Sequence, residues 1–193
     1  MRVLYLLIIA IFAYLLGGAN VIKNNYVRKQ SDDNTELTKH SRRIRVVLCI
    51  VIDIGKTAFV CLFGGWLLGK VGAPIVGKLL AGYFVMTGDM YPPYNRFQGG
   101  KGILCAVIMA AMVDWRIGLS CLIVFLISVL LTRYVFIGSI LGALSLPICL
   151  WIFGYEPLQC LLGLLCALLI VVKHAENIQR LIARKENKLY IRH

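Results

Sequence analysis

The chain has 193 residues, of which 60% are apolar and only 16% are charged. A soluble globular domain is usually about half apolar and about a quarter charged, so this composition excludes an ordinary soluble domain and predicts an integral membrane protein. The formal net charge of +12 does not indicate nucleic-acid binding, because the basic residues are divided among loops that apolar segments separate.

Seven apolar segments follow one another along the chain. They cover about residues 3–22, 46–69, 72–87, 103–115, 117–132, 135–153 and 158–173. A helix needs about 20 apolar residues to cross a hydrocarbon core of about 30 Å. The segments therefore predict an all-α, polytopic membrane bundle of about seven transmembrane helices. The fourth segment is short, since it would reach only about 20 Å at ~1.5 Å per residue.

The distribution of Lys and Arg predicts how this bundle is oriented. If the N-terminus lies outside and all seven segments cross, 16 of the 21 basic residues fall on the inside, three fall on the outside and two lie within segments. Basic residues accumulate in the cytoplasmic loops of membrane proteins. We therefore expect the N-terminus outside and the C-terminus in the cytoplasm.

Two charged residues lie inside the second apolar segment. Asp53 and Lys56 are three positions apart, a spacing that lets their side chains meet on one face of a helix. Because a charge inside the bilayer is costly, these residues either pair with each other or line a polar cleft, and the sequence leaves both interpretations open. The seven cysteines form no C-x-x-C pair, so we expect helix packing from them and no metal site.

The loop before the fourth segment combines prolines, glycines and a lysine, in TGDMYPPYNRFQGGKGIL at residues 87–104. Glycines before a helix bring backbone N–H groups close together, and the positive end of the helix dipole adds to them. Gly99, Gly100 and Gly102, with the charge of Lys101, therefore predict a phosphate site. The alternative is a tight turn between two membrane helices.

The third polar segment follows the last apolar one and reads KHAENIQRLIARKENK at residues 173–188. His174 and Asn177 share one face of a predicted helix. A histidine at the membrane edge can donate or accept a proton near neutral pH. The alternative is an amphipathic basic tail that lies on the membrane.

Taken in order, these segments resemble the bacterial acyl-phosphate:glycerol-3-phosphate acyltransferase family. GDMYPPYNRFQGGKGIL resembles the second motif of that family, and HAENIQRLIARKENKL resembles the third, which reads H-R-E-N-I-x-R-L. The organisation of the chain predicts a single domain over residues 1–193. The resemblance implies a seven-helix bundle in the plasma membrane of a bacterial cell, with its three motifs meeting at the cytoplasmic face. It also implies transfer of a fatty acyl group from acyl phosphate to the 1-hydroxyl of glycerol 3-phosphate, giving lysophosphatidic acid.

The same resemblance assigns residues to the site. His174 and Asn177 are expected at the reacting centre, as proton handler and hydrogen-bond partner. Ser31 is expected to hydrogen-bond the donor. Residues expected to bind phosphate or substrate are Arg28, Gly99, Gly100, Lys101, Gly102, Arg180, Glu186 and Lys188. Acyl phosphate is already activated, so we expect neither a cofactor nor a metal. The expected partners are acyl phosphate, glycerol 3-phosphate and membrane lipid, with no nucleic acid, and the chain is expected to be a monomer.

The first motif keeps a second functional class open. The family reads roughly S-G-N-x-G-A-T-N there, whereas this chain has SDDNTELT at residues 31–38. Asp32, Asp33 and Glu36 add negative charge where a phosphate is expected, and like charges repel. The alternative to an acyltransferase is therefore a catalytically inactive relative that binds anionic lipid or acts as a membrane partner protein.

Overall fold

The computed structural model describes residues 2–19 and 36–186. Every regular element within these ranges is a helix, so the all-α prediction is confirmed for this part of the chain. The α-helices are α1 (Arg2–Gly18), α2 (Glu36–Gly69), α3 (Pro74–Met90), α4 (Ile103–Val113), α5 (Trp115–Thr132), α6 (Val135–Ile152), α7 (Pro157–Lys173) and α8 (Ala175–Ile182). A short 3₁₀ helix, Pro93–Asn95, lies between α3 and α4.

The lengths of these helices fit an integral membrane fold. Among the described residues, three segments are long and apolar enough to cross a membrane, namely Val46–Gly69 of α2, the whole of α5 and the whole of α6. Helices α7 and α8 together form a fourth candidate, bent by 50° at their junction. Helices α1 and α4 are apolar but shorter. Seven crossings and an outside N-terminus remain predictions.

Helix α3 lies at the centre of the bundle. It contacts α1, α2, α4 and α7, and Leu79, Val85, Met86 and Met90 on it have no exposed surface. The remaining helices extend the bundle on one side, where α5 packs on α6 and α6 packs on α7. The residues after Met90, which carry the second polar motif, therefore leave the bundle at its centre.

Glycines allow a close helix crossing between α2 and α3. A Cβ atom at Gly64 or at Gly77 would collide with the backbone of the other glycine, so no side chain fits at either position. Small residues permit such close approach in membrane proteins. The G-x-x-x-G pair of Gly65 and Gly69 contributes less than its spacing suggests, because a Cβ at Gly69 would have only an ordinary contact of 3.8 Å.

Two lysines inside the bundle donate to carbonyl groups at helix C-termini. Lys56 Nζ lies 3.0 Å from the Gly17 oxygen at the end of α1, and Lys78 Nζ lies 2.7 Å from the Met112 oxygen at the end of α4. The last carbonyls of a helix lack intrahelical donors and carry the negative end of its dipole. Lys56 also pairs with Asp53 at 2.8 Å, so the pairing predicted from their spacing is present.

At the end of the bundle where α4 ends and α5 begins, a side-chain cap defines the helix start. Asp114 ends α4 and begins α5, because its Oδ1 accepts a hydrogen bond from the Arg116 N–H at 2.9 Å. The Tyr155 hydroxyl, between α6 and α7, donates to the other carboxylate oxygen of Asp114 at 3.3 Å. We call this the Asp114 face, and the opposite side, which carries Gly99–Gly102 and His174, the motif face.

Candidate functional site at the motif face

The turn between α3 and α4 is held in a backbone conformation that favours glycine at its end. Gly102, which precedes α4, has φ of +67°, a left-handed value that glycine adopts at no steric cost. A Cβ there would lie 2.5 Å from side-chain atoms of both Met86 and Met90. At Gly99 a Cβ would collide with the Asp89 carbonyl oxygen. The glycines therefore let the turn pack directly onto the end of α3.

Gly100, one of the glycines expected to bind phosphate, uses its backbone N–H for a hydrogen bond within the protein. The Gly100 N–H donates to the Asp89 carbonyl oxygen at 2.9 Å, so in this conformation that amide stabilises the turn. The N–H groups in the first turn of α4, from Ile103 onward, have no acceptor within the helix, as in any helix. They therefore point outward from the helix start. The anion-binding character of the turn therefore rests on the helix start and on Lys101.

A chain of hydrogen bonds joins the second and third motifs. Lys101 Nζ donates to Asn177 Oδ1 at 2.7 Å, and Asn177 Nδ2 donates to Glu186 Oε1 at 2.7 Å. Lys101 and Asn177 are 76 positions apart in sequence. Three of the predicted site residues thus form one polar cluster, which fixes α8 against the turn.

His174 lies beside this cluster, immediately after the last residue of α7. Its side chain has no exposed surface, and its Nδ1 lies 2.8 Å from the Ile170 carbonyl oxygen. A carbonyl only accepts, so Nδ1 carries the proton and Nε2 of the neutral ring has a free lone pair. Nε2 is buried and has no hydrogen-bond partner in the described residues. It is therefore a buried proton acceptor.

The surroundings keep this imidazole neutral. Burial lowers the pKa of His174 below its usual value, and the positive charge of Lys101 lowers it further, while the hydrogen bond to Ile170 acts in the opposite direction. At neutral pH the ring therefore has an unprotonated Nε2. A base of this kind suits the removal of a proton from a hydroxyl group.

Lys101 differs in its hydrogen-bond partner from the lysines that donate to helix C-termini. Lys173 Nζ donates to the Met90 carbonyl at the end of α3, at 2.9 Å, as Lys56 and Lys78 do at other helix ends. Lys101 instead donates to a side chain, that of Asn177. A bound anion can replace that bond without leaving a helix end unsatisfied, so Lys101 is available to a ligand in a way that Lys56, Lys78 and Lys173 are not.

Lys101 lines a cleft of about 360 Å³ between α2 and the start of α4. Two carboxylates, Asp53 and Asp89, also line it, so both interpretations of Asp53 apply. The opposite wall is apolar and includes Val46 and Ile50 of α2, whose side chains are exposed on the outer surface of a membrane-spanning segment. The cleft thus joins a polar end to a wall that faces lipid.

The remaining predicted site residues lie either outside the described residues or outside this cluster. Arg28, Ser31 and Lys188 lie outside the described residues. Arg180 lies on the exposed side of α8, where it pairs with Glu176 at 3.8 Å.

Sequence reasoning gave no role to Asp89 or Lys173, although both border the site. A charged residue at the end of an apolar segment was the available signal.

The fold and site together define a class: a membrane protein, all-helical in its described residues, with an exposed lysine and a buried histidine beside a lipid-facing cleft. The family model for glycerol-3-phosphate acyltransferase matches residues 3–184. The chain therefore belongs to the glycerol-3-phosphate acyltransferase family, and the resemblance seen in the motifs is confirmed.

Individual relatives agree with this membership over nearly the whole chain. The chain is 30% identical to a glycerol-3-phosphate acyltransferase of Thermoanaerobacter sp. (strain X514), with 96% of each chain covered. It is 31% identical to that of Finegoldia magna, with 98% of each covered. Among solved structures it is similar to PlsY (YgiH), an integral membrane glycerol 3-phosphate acyltransferase in its glycerol 3-phosphate form. The TM-score is 0.76 at 27% identity, covering 95% of this chain and 94% of that one.

Proposed function

We propose that this protein is a membrane glycerol-3-phosphate acyltransferase. It transfers a fatty acyl group from acyl phosphate to the 1-hydroxyl of glycerol 3-phosphate and produces lysophosphatidic acid and inorganic phosphate. The observation that carries this function is the junction of Lys101, Asn177 and His174 beside the cleft. Family membership over residues 3–184 supports it.

Each part of the reaction has a counterpart in the site. Phosphate binds Lys101 and the start of α4, where a positive charge and unpaired N–H groups meet. The acyl chain lies along the apolar wall of the cleft, against Val46 and Ile50. The 1-hydroxyl oxygen attacks the acyl carbon, a new ester C–O bond forms and the bond from acyl carbon to phosphate oxygen breaks. The hydroxyl proton goes to His174 Nε2, and phosphate leaves.

The remaining assignments complete this proposal. Ser31 hydrogen-bonds the acyl donor, while Arg28, Arg180 and Lys188 contribute positive charge to substrate binding. Glu186 orients Asn177 through their hydrogen bond. The protein acts as a single domain and a monomer in the bacterial plasma membrane, with the motif face toward the cytoplasm, and it requires no cofactor.

The test is transfer by the purified protein in detergent, with palmitoyl phosphate as donor and glycerol 3-phosphate as acceptor. We expect acceptor-dependent phosphate release and an equal amount of lysophosphatidic acid, measured by mass spectrometry. Replacing Lys101 by Ala removes the charge that binds phosphate, so kcat/KM should fall by roughly 100-fold or more. Lys185→Ala, an exposed cation on the same face, is the matched control and should retain activity.

Two outcomes would contradict this function. Wild-type protein that releases no more phosphate than Lys101→Ala would favour the catalytically inactive relative, whose lipid binding is then measured with anionic vesicles. An equal loss in Lys101→Ala and Lys185→Ala would show that general surface charge matters and that the turn does not.

A further inference from the structure

Three consecutive backbone carbonyls at the end of α3 accept hydrogen bonds from three different parts of the chain. The Asp89 oxygen accepts from a backbone N–H of the turn at 2.9 Å, and the Met90 oxygen accepts from Lys173 Nζ of α7 at 2.9 Å. The Tyr91 oxygen accepts from the Tyr14 hydroxyl of α1 at 2.8 Å. The last carbonyls of a helix have no donors within it, so these three bonds fix the end of α3 to its neighbours.

Two of these bonds hold the two halves of the site. The turn bonded to Asp89 through Gly100 carries Lys101 as its next residue. Lys173, which is bonded to the following carbonyl, is the last residue of α7 and immediately precedes His174. Because consecutive carbonyls belong to one stretch of backbone, the position of His174 relative to Lys101 depends on both bonds.

Tyr91 connects α1 to α7 at this point. Lys173 Nζ lies 4.1 Å from the centre of the Tyr91 ring, which is within the range of a cation–π interaction, and the carbonyl of the same residue accepts from Tyr14. Helix α1 packs closely on α3 here, since a Cβ at Gly17 would collide with the Val85 backbone. Helix α1 contributes none of the described residues that line the cleft, yet it reaches the site through one hydroxyl group.

A bound phosphate makes the bonds at the end of α3 more important. Lys101 donates to Asn177 and so ties the turn to α8 as well. A phosphate that takes this donor removes that tie. The bonds at the end of α3 then hold the turn and α7 in their relative positions.

We propose that Tyr14 and Lys173 are positioning residues for the site. They hold the end of α3 so that His174 and Lys101 keep the separation that the reaction needs. This inference rests on the proposed acyltransferase function. Neither residue has to touch a substrate, because each acts through the backbone. A misplacement of about 1 Å can slow a reaction by roughly 100-fold, so the loss of one such contact should be measurable in the rate.

The first test is a double-mutant cycle in detergent, with palmitoyl phosphate and glycerol 3-phosphate as substrates. Tyr14→Phe removes only the hydroxyl, and we expect kcat/KM to fall by roughly 10-fold. In a His174→Gln background the same change should lower kcat/KM by less than about 2-fold, because the base that it positions is absent. Tyr5→Phe is the matched control, since Tyr5 is a partly buried tyrosine near the other end of α1. It should keep the wild-type rate.

The second test replaces the lysine. Lys173→Met removes both the bond to Met90 and the cation over the Tyr91 ring, and kcat/KM should fall by roughly 100-fold. Arginine also donates to carbonyls and stacks on aromatic rings, so Lys173→Arg should recover at least about 10-fold of that loss. Lys70→Met is the matched control, because Lys70 likewise lies over an aromatic ring, that of Trp66, and it should retain activity.

Several outcomes would overturn the inference alone. One is equal activity of Tyr14→Phe and Tyr5→Phe. Another is the same loss from Tyr14→Phe with and without His174, since a smaller folded fraction lowers the rate by one factor in both backgrounds. A third is Lys173→Arg that is no more active than Lys173→Met. Wild-type protein without acceptor-dependent phosphate release would overturn the proposed function and this inference with it.

Discussion

At the residue scale, His174 combines complete burial with an Nε2 atom that has no hydrogen-bond partner among the described residues. Burial disfavours its charged form, which is the reason for its lowered pKa. The unfolded chain binds the proton more readily than the folded one, so protonation favours unfolding. The stability gained from a neutral His174 is complete above the unfolded pKa of about 6.5 and is lost as the pH falls toward the lower folded pKa.

We therefore predict that the stability difference between the wild type and His174→Gln depends on pH. Relative to this variant, the wild-type protein should lose stability as the pH falls below about 6.5, by no more than about 1.4 kcal/mol per pH unit for one proton. Thermal unfolding in detergent measures the difference. The kcat/KM of the wild-type protein should fall as the pH drops below about 6.5. His174→Gln should lower kcat/KM by roughly 10²- to 10⁴-fold. A difference in stability that is independent of pH would contradict the assignment of a buried neutral imidazole.

The sequence anticipated which residues meet here but not how they meet. The family resemblance indicated Lys101, His174 and Asn177, and the structure brings these three together. It gave no indication that Gly100 N–H would bond to the Asp89 carbonyl. Hydrogen-bond partners far apart in sequence depend on the packing of α3 and α7, which a motif does not encode.

At the element scale, α4 is a short apolar helix between two longer neighbours. With 11 residues it is only about 16 Å long, and Lys78 donates to one of its C-terminal carbonyls in a partly buried hydrogen bond. In a bilayer no water is present to bond such groups. Lys78 thus makes a short helix tolerable between two longer neighbours.

We predict that Lys78→Met destabilises the protein by about 1–3 kcal/mol, since a carbonyl loses a charged donor in a dry environment. For a chain of this size the thermal midpoint should fall by about 4–8 °C for a loss of ~2 kcal/mol. Lys70→Met removes an exposed lysine that lies over the Trp66 ring and should change stability by less than about 0.5 kcal/mol. Equal midpoints for Lys78→Met and the wild type would exclude a stabilising role for this bond.

Helix positions were predictable and helix ends were less so. The apolar segments at about 72–87 and 103–115 correspond to α3 and α4, which end at Met90 and Val113. Composition alone does not locate these ends, because they depend on the caps. Asp114, for instance, ends α4 by capping α5. The lysines bound to helix ends had no signal in the sequence, since each bond joins two different helices.

At the scale of the whole molecule, the motif face and the Asp114 face lie at opposite ends of the bundle. Helix α4 runs from Gly102 at one face to Asp114 at the other. The basic residues of the sequence predict that the motif face is cytoplasmic. The two faces therefore provide paired positions for a test of orientation.

We predict that Gln98→Cys reacts with a membrane-impermeant maleimide only after the cells are permeabilised. Arg116→Cys on the Asp114 face should react in intact cells. Both residues are exposed, and the test uses a background without the seven native cysteines. The reverse pattern would show that the motif face is external and would separate it from any cytoplasmic substrate.

The lysines that donate to helix ends change what the net charge of +12 means for a ligand. A helix C-terminus carries roughly half a negative charge, so the fields of Lys56, Lys78 and Lys173 are partly cancelled where they originate. Lys101 donates to the neutral amide of Asn177, so no helix dipole offsets its positive charge there. An approaching phosphate therefore experiences a weaker but more localised attraction than the formal charge implies, and that attraction is centred on the turn.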